Sequence, residues 1–247
     1  DVANVLLAAG GSPIMSDDAD DVEDITSICG GLNINIGTLN KNTIPSMFLA
    51  GKKANELGHI VLLDPVGAGA SRLRTDTANR LMQEVRFDAV RGNISEIKTL
   101  CTGSGSTKGV DADAVDAVTE ANLDDGVQLV KTFAQRAGCI VAVTGAIDLV
   151  SDGERCWCIR NGRAEMSRIT GTGCQLSALM TAFLVANPDH KLDAAAAAVC
   201  MMGLAGEIGW ANMQPGDGNS TYRNRIIDAI FNMTGDALEK GAKYELR

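Results

Sequence analysis

The chain has 247 residues, a formal net charge of -9, and 4% aromatic against 45% hydrophobic residues. This length is enough to bury a substantial core, and the scarcity of rings indicates a core of aliphatic side chains. The negative charge disfavours nucleic acid and anionic membranes, because both present phosphate groups that the chain repels. We therefore expect a single domain over 1–247 with neither nucleic acid nor membrane as a partner.

The cysteines indicate a reducing compartment. There are seven of them, scattered along the chain and without a C-x-x-C pair, so a disulfide framework is not indicated. No apolar run of 18 residues and no signal-peptide pattern is visible. We expect a cytoplasmic protein. Because residue 1 is Asp and lies at the start of a helical pattern, we also expect a further N-terminal segment in the natural chain.

The hydrophobic pattern alternates short β-branched runs with longer amphipathic stretches, which predicts an α/β fold with a mainly parallel sheet. A first helix is predicted over 2–9. The predicted strands are 13–15, 33–36, 60–64, 89–91 and 139–144. The predicted helices between them are 43–57, 75–84 and 125–137. Ligands of such sheets bind beyond the carboxyl ends of the strands, so polar residues there are candidates for function.

The second half of the chain predicts a hairpin followed by three helices. Strands at 148–151 and 155–160 flank an Asp-Gly turn. One helix starts near Cys174 and ends before an Asn-Pro pair, and the next, 193–213, is apolar on nearly every side and should be buried. A last helix is predicted over 220–239 with Ser220 as its cap. The acidic run 17–24 is predicted to be the solvated start of a helix rather than a calcium loop.

The strongest motif is Thr170-Gly171-Thr172-Gly173-Cys174, which lies between the hairpin and the first of these helices. Glycine lets the backbone approach a ligand, and the first amides of a helix carry partial positive charge. We predict that Gly171, Thr172 and Gly173 form an anion hole for a phosphate group. A helix cap without a ligand explains the pentapeptide alone equally well.

Three further polar motifs follow predicted strands. Asp64 ends the strand 60–64 and can reach a metal, although an Asp-Pro turn is the commoner role. Arg91 offers a planar guanidinium for phosphate and Glu96 a carboxylate, whereas Asn93 and Glu96 can alternatively form a capping box. The hydroxyl of Thr144 can bond a nucleotide phosphate or close a turn. No GxxxxGK[ST] sequence occurs, which excludes a P-loop.

Taken in chain order, these motifs resemble those of the hydroxyethylthiazole kinase family, which has the ribokinase-like α/β fold. That fold is a three-layer sandwich with helices on both faces of a central sheet. The matching segments are 8–15, 35–39, 64–69, 91–96, 108–111, 143–145 and 171–174. Ribokinase-like relatives generally have Asp at the end of the glycine-rich motif, whereas the thiazole kinases have Cys, as this chain does at Cys174.

The resemblance implies an activity and a set of binding residues. The activity is transfer of the γ-phosphoryl group of ATP to the hydroxyl of 4-methyl-5-(2-hydroxyethyl)thiazole, in thiamine biosynthesis and salvage. Met15 and Gly171 would border the thiazole, while Arg91 and Thr144 would hold ATP. Members of the family form homotrimers with active sites at subunit contacts, and the resemblance implies the same assembly for this chain. The chain departs from the family pattern at 216–219, and the resemblance implies a further N-terminal strand segment with an Asn-bearing motif ahead of residue 1.

The resemblance also implies the groups nearest the chemistry. Asp64 and Glu96 would organise Mg²⁺ with its waters, and Cys174 would face the substrate hydroxyl as the catalytic residue. A thiol with an ordinary pKa of about 8.5 can have that pKa lowered at a helix N-terminus, although an Asp would accept a proton more readily over a wider pH range.

Other functions remain open on the sequence. A cysteine hydrolase using Cys174 would need a histidine base, and neither His59 nor His190 lies at a predicted ligand-facing strand end. A nucleotide-binding regulator without catalysis is a second alternative. A kinase for a pyrimidine alcohol or a sugar is the third.

Overall fold

A computed structural model describes residues 1–102 and 117–247. Within these residues, seven strands form one sheet whose spatial order follows the chain order. The strands are β1 (Gly31–Asn35), β2 (Ile60–Asp64), β3 (Ala89–Asn93), β4 (Ile140–Thr144), β5 (Asp148–Ser151), β6 (Cys156–Ile159) and β7 (Tyr244–Leu246). The strands β1 to β4 are parallel, and β5 to β7 extend the sheet in antiparallel fashion. The carboxyl ends of the four parallel strands therefore share one edge.

Ten α-helices of the described residues cover the sheet from both sides. They are α1 (Val2–Ala8), α2 (Val22–Ile28), α3 (Thr43–Leu57), α4 (Arg72–Glu84), α5 (Ile94–Thr102), α6 (Leu123–Ala137), α7 (Thr172–Ala186), α8 (Lys191–Ala211), α9 (Asn219–Phe231) and α10 (Gly235–Gly241). The crossover helices α3 to α6 lie on one face with α2 against α3, and α7 and α8 pack on the other face with α1, α9 and α10 around them. This arrangement confirms the three-layer sandwich.

The central strands separate two apolar cores, because side chains alternate between the faces of a strand. In β2, Leu63 belongs to the core under α3 to α6, whereas Leu62 belongs to the core under α7 and α8. Both residues are fully buried, as expected for parallel strands covered on both faces. The same alternation directs Asp64, two positions after Leu62, towards α7.

The structure corrects several predicted boundaries. Residues 13–15 are irregular rather than a strand, since Pro13 has no amide to donate to a ladder and no neighbouring strand pairs with this segment. The helix predicted over 220–239 is two helices, because Thr234 caps a new helix by accepting a hydrogen bond from the Ala237 amide at 3.2 Å. Ser220 lies inside α9, whose cap is Gly218. The strand β7 was not predicted.

The helix α8 is buried, as its apolar composition predicts. Among the described residues it is the helix long and apolar enough to cross a membrane, yet 72% of its most apolar window is buried within the protein. Packing in the core accounts for its composition. The matching segment 108–111 of the sequence analysis lies outside the described residues.

Candidate active site

Polar side chains form a row along the edge where the four parallel strands end. Asn35, Asp64 and Thr144 are the last residues of β1, β2 and β4, and Arg91 lies in β3. Asn35 is directly opposite Asp64 in the register. The residues two positions before Asp64, Arg91 and Thr144 are buried under α7 and α8, so these three side chains point to that face, and Asn35 joins them through a hydrogen bond to Asp64. The four strand ends thus meet the N-terminus of α7.

The glycine-rich motif forms that N-terminus. Gly171 is the cap residue with a φ of 84°, in the left-handed region that favours glycine. The first hydrogen bond of the helix joins the Gln175 amide to the Gly171 carbonyl at 2.9 Å. The amides of Thr172, Gly173 and Cys174 precede this bond and have no intrahelical acceptor. No acidic residue occupies the first turn, so the positive end of the helix is available to an external anion.

Arg91 is held against this helix end. Its side chain is 11% exposed, its Nη2 donates to the Thr144 hydroxyl at 2.5 Å, and its Nη1 lies 3.8 Å from Asp64 Oδ1. A Cβ added to Gly173 would lie 2.7 Å from Nη2, so glycine is required for this close approach. A guanidinium beside the positive end of a helix is unfavourable unless an anion binds between them. The arrangement therefore suits a phosphate group.

Asp64 is the most deeply buried acid of the row, with no exposed surface. Its Oδ2 accepts hydrogen bonds from Asn35 Nδ2 at 2.9 Å and from the Ser177 hydroxyl at 2.8 Å, while its Oδ1 accepts none. Burial raises the pKa of Asp64, and Arg91 and these hydrogen bonds oppose the rise. Ser177 was not among the predicted site residues, although it lies three residues after Cys174 and therefore on the same helical face.

The thiol of Cys174 is half-buried, and Asp64, Asn35 and Arg91 are close enough to shift its pKa. Its pKa is raised, first by burial and then by the negative charge of Asp64. Desolvation and the neighbouring carboxylate therefore act against the lowering that a helix N-terminus can cause. The group is a neutral thiol near pH 7. His59 precedes β2 at the opposite edge of the sheet. It therefore does not serve as the base that a cysteine hydrolase using Cys174 would need.

Glu96 joins two loops of the site. Its Oε1 accepts the Gly67 amide at 2.7 Å and its Oε2 the Asn93 amide at 2.8 Å, while its own amide donates to Asn93 Oδ1 at 2.8 Å. The capping box considered from the sequence is therefore present. Burial raises the pKa of Glu96, and the two amides lower it. The carboxylate fixes the glycine-rich loop after β2 to the start of α5.

The two carboxylates fit a Mg²⁺ site of the kind completed by waters and substrate phosphates. The buried Oδ1 of Asp64 accepts no hydrogen bond and has Arg91 Nη1 at 3.8 Å as its ion-pair partner, and each oxygen of Glu96 keeps a lone pair after accepting one amide. Among the residues that the structure describes, no three acidic, histidine or cysteine side chains form a cluster. The protein would therefore supply a minority of the ligands.

Met15 is separate from this row in the fold. It lies in the irregular segment between α1 and α2, and 80% of its surface is exposed. Gly171, the other residue expected near the thiazole, lies at the cap of α7. Packing within one chain thus leaves Met15 open to a ligand or to another subunit.

The chain is similar in sequence and structure to known kinases. The family model of the hydroxyethylthiazole kinase family matches residues 1–236. Hydroxyethylthiazole kinase of Clostridium acetobutylicum is 55% identical over 245 residues, which cover 99% of this chain and 90% of that protein. The enzyme of the same name from Ruminiclostridium cellulolyticum is 48% identical over 233 residues, covering 94% and 83%.

Solved structures agree with these relatives. The hydroxyethylthiazole kinase of Pyrococcus horikoshii superposes with a TM-score of 0.87 at 31% identity, covering 100% of this chain and 88% of that chain. Pyridoxal kinase of Staphylococcus aureus, in complex with AMP-PCP and pyridoxal, superposes with a TM-score of 0.64 at 15% identity, covering 100% and 91%. This second likeness concerns the ribokinase-like fold alone. On the family match and these relatives, the chain belongs to the hydroxyethylthiazole kinase family.

Proposed function

We propose that this enzyme transfers the γ-phosphoryl group of ATP to the hydroxyl of 4-methyl-5-(2-hydroxyethyl)thiazole. The observation that carries the proposal is the meeting of Arg91 with the free amides at the start of α7, directly beside the thiol of Cys174. The family supports a kinase that acts on an alcohol. The site offers what phosphoryl transfer needs, namely donors for the moving phosphate next to a position for an acceptor hydroxyl.

The positive groups of the site would act on the transferred phosphate. The amides of Thr172, Gly173 and Cys174 would bind its equatorial oxygens, and Arg91 would neutralise charge that develops there. Thr144 holds the guanidinium through its hydroxyl and so fixes the direction in which Arg91 donates. The preorganised donors would need little rearrangement as the reaction proceeds.

Cys174 would contact the acceptor hydroxyl as a neutral thiol. Phosphoryl transfer passes through a loose transition state in most analyses, so a strong base is not needed early in the reaction. A thiol with a raised pKa can still orient the hydroxyl by hydrogen bonding. Met15 and Gly171 would border the thiazole ring, Met15 through its exposed thioether side chain.

Mg²⁺ is the metal that we propose for Asp64 and Glu96. The ion would neutralise phosphate charge when bound. Asp64 would approach it through Oδ1, and Glu96 through lone pairs that its amide contacts leave free. Both residues also have structural contacts, so their removal would affect stability as well as metal use.

Oligomeric state, compartment and domain organisation remain parts of this proposal. A homotrimer with active sites at subunit contacts is supported by exposed apolar side chains around the irregular segment of Met15, namely Leu7, Ile14 and Ile28, which are 57%, 50% and 73% exposed. A cytoplasmic location is supported by seven free cysteines. One kinase domain over 1–247 is supported by the single sheet.

A coupled ATP assay tests the function. The purified protein would be given the thiazole alcohol, the pyrimidine alcohol of thiamine biosynthesis, pyridoxal and ribose in separate reactions with ATP and Mg²⁺. We expect the thiazole alcohol to have the highest kcat/KM, and Arg91→Ala to lower the rate by at least about tenfold, as loss of one charged transition-state contact does. Preferred phosphorylation of another alcohol would replace the substrate assignment, and binding of ATP without any product would favour a regulator.

A further inference from the structure

A carboxyl group beside the proposed nucleotide site has no role so far. Asp148 is the first residue of β5 and follows the short turn 145–147 that leaves β4 after Thr144. Its Oδ1 accepts a hydrogen bond from the Gly145 amide at 2.8 Å, which closes this turn. The register of β4 and β5 pairs Val143 with Leu149, so the turn is anchored at both ends.

Asp148 shares a face with the active-site row. Val150, two positions later in β5, packs in the core under α7 and α8, so the period of two directs Asp148 to the same side. The groups that face its carboxyl are Arg91 of β3, Cys200 of α8 and the Gly145 amide. Cys200 is a neutral thiol, since burial raises its pKa to about 12. Arg91 is therefore the charged group among these three.

We propose that Asp148 is a positioning residue for the phosphate donor, which fixes the turn after β4 and thereby holds Thr144 against Arg91. The structural chain is short. The Asp148 carboxyl binds the Gly145 amide, Gly145 follows Thr144 directly, and the Thr144 hydroxyl accepts from Arg91 Nη2 at 2.5 Å. Without the carboxyl, the Gly145 amide would lose its acceptor, and glycine would leave the turn free to take other conformations.

The charge state of Asp148 should make the binding of ATP depend on pH. The residue is half-buried, and desolvation raises its pKa to about 7 against the opposing effects of Gly145 and Arg91. Below this pKa the neutral carboxyl does not repel a polyphosphate, and above it the carboxylate does. By linkage, bound phosphate groups should favour the protonated form in turn.

Three variants test the proposal, which rests on the proposed function. Asp148→Asn keeps an oxygen that can accept the Gly145 amide but cannot titrate, and Asp148→Ala removes both properties. Asp152→Ala is the matched control, because Asp152 accepts the amides of Glu154 and Arg155 in the turn at the far end of the same hairpin. The KM values for ATP and for the thiazole alcohol, kcat and the melting temperature would be measured from pH 6 to 8.5.

We expect Asp148→Ala to raise the KM for ATP roughly fivefold, the effect of one lost hydrogen bond, with kcat and the KM for the alcohol within about twofold. Asp148→Asn should have the wild-type KM for ATP at pH 7. Its KM for ATP should not rise above pH 7, whereas that of the wild type should. Because the pKa of Asp148 in the folded protein exceeds its ordinary value of 3.8, the stability contribution of Asp148 is full below pH 3.8 and is lost as the pH rises through about 7. The melting temperature of Asp148→Asn should therefore change less with pH than that of the wild type.

Other results would overturn the inference. Equal rises in both KM values, an unchanged KM for ATP in Asp148→Ala, or an Asn variant no better than the Ala variant would reduce Asp148 to a structural residue. The same rise of the KM for ATP in Asp152→Ala would show a general effect of the hairpin. A wild-type enzyme without ATP-dependent turnover would remove the proposed function itself, and the inference with it.

Discussion

The contact between Gly173 and Arg91 can be tested by adding one methyl group. Gly173 lies in the first turn of α7, where alanine favours the helix by up to about 1 kcal/mol relative to glycine. In this protein the added Cβ would lie 2.7 Å from Arg91 Nη2 and 2.9 Å from Cζ, well inside van der Waals contact. The guanidinium must therefore leave its position and its bond to Thr144.

We expect the clash with Arg91 to lower the free energy of unfolding by more than the higher helix propensity of alanine raises it. Loss of a hydrogen bond to a charged group costs about 1.5 to 3 kcal/mol, so Gly173→Ala should lower the melting temperature by a few degrees, at about 2 to 4 °C per kcal/mol for this chain length. Phosphate binding should weaken at the same time. In an Arg91→Ala background the clash is absent, and the same Gly173→Ala change should then raise the melting temperature by about 2 to 4 °C.

Gly171→Ala is the matched control for this double-mutant cycle. Gly171 has a φ of 84° and no heavy atom within 4 Å of an added Cβ, so its cost of about 1 to 2 kcal/mol arises from backbone conformation. That cost should be the same with and without Arg91. Thermal unfolding of the wild type, Gly173→Ala and Gly171→Ala, each with and without Arg91→Ala, measures how strongly either glycine position is coupled to Arg91. An effect of Gly173→Ala that does not depend on Arg91 would refute the contact on which the phosphate site rests.

Three further changes test individual side chains. Cys174→Asp should keep or raise kinase activity and Cys174→Ala should lower it, with Cys29→Ala as a thiol control; complete loss in the Asp variant would contradict the contact with the acceptor hydroxyl. Glu96→Gln should raise the Mg²⁺ concentration for half-maximal rate, since one carboxylate oxygen is lost, and an unchanged Mg²⁺ titration with a lower melting temperature would leave it a structural role only. Ser177→Ala removes a hydrogen bond to buried Asp64 and should lower the stability by about 1 to 3 kcal/mol, whereas an unchanged denaturation midpoint would argue against that bond.

Local sequence patterns were sufficient for most of the fold. The strand Ile60–Asp64 and the helix Thr43–Leu57 have the predicted bounds, because a run of β-branched and aliphatic residues or an amphipathic period is contained within the element itself. The short segment 13–15 and the last helical region were predicted less well. There, the outcome depends on whether a neighbouring strand exists and on a cap at Thr234, and the hydrophobic period does not report either feature.

The sequence also located the candidate site, since Asp64, Arg91 and Thr144 follow strand patterns and Gly171 precedes a helix. Only the tertiary structure decided how these groups act on one another. Ser177 and Asp64 are 113 residues apart in the chain, and the direction of the Cys174 pKa depends on the protein packed around the thiol. A motif fixes residue types and local conformation, whereas burial and electrostatic potential are sums over neighbours that the whole fold brings together.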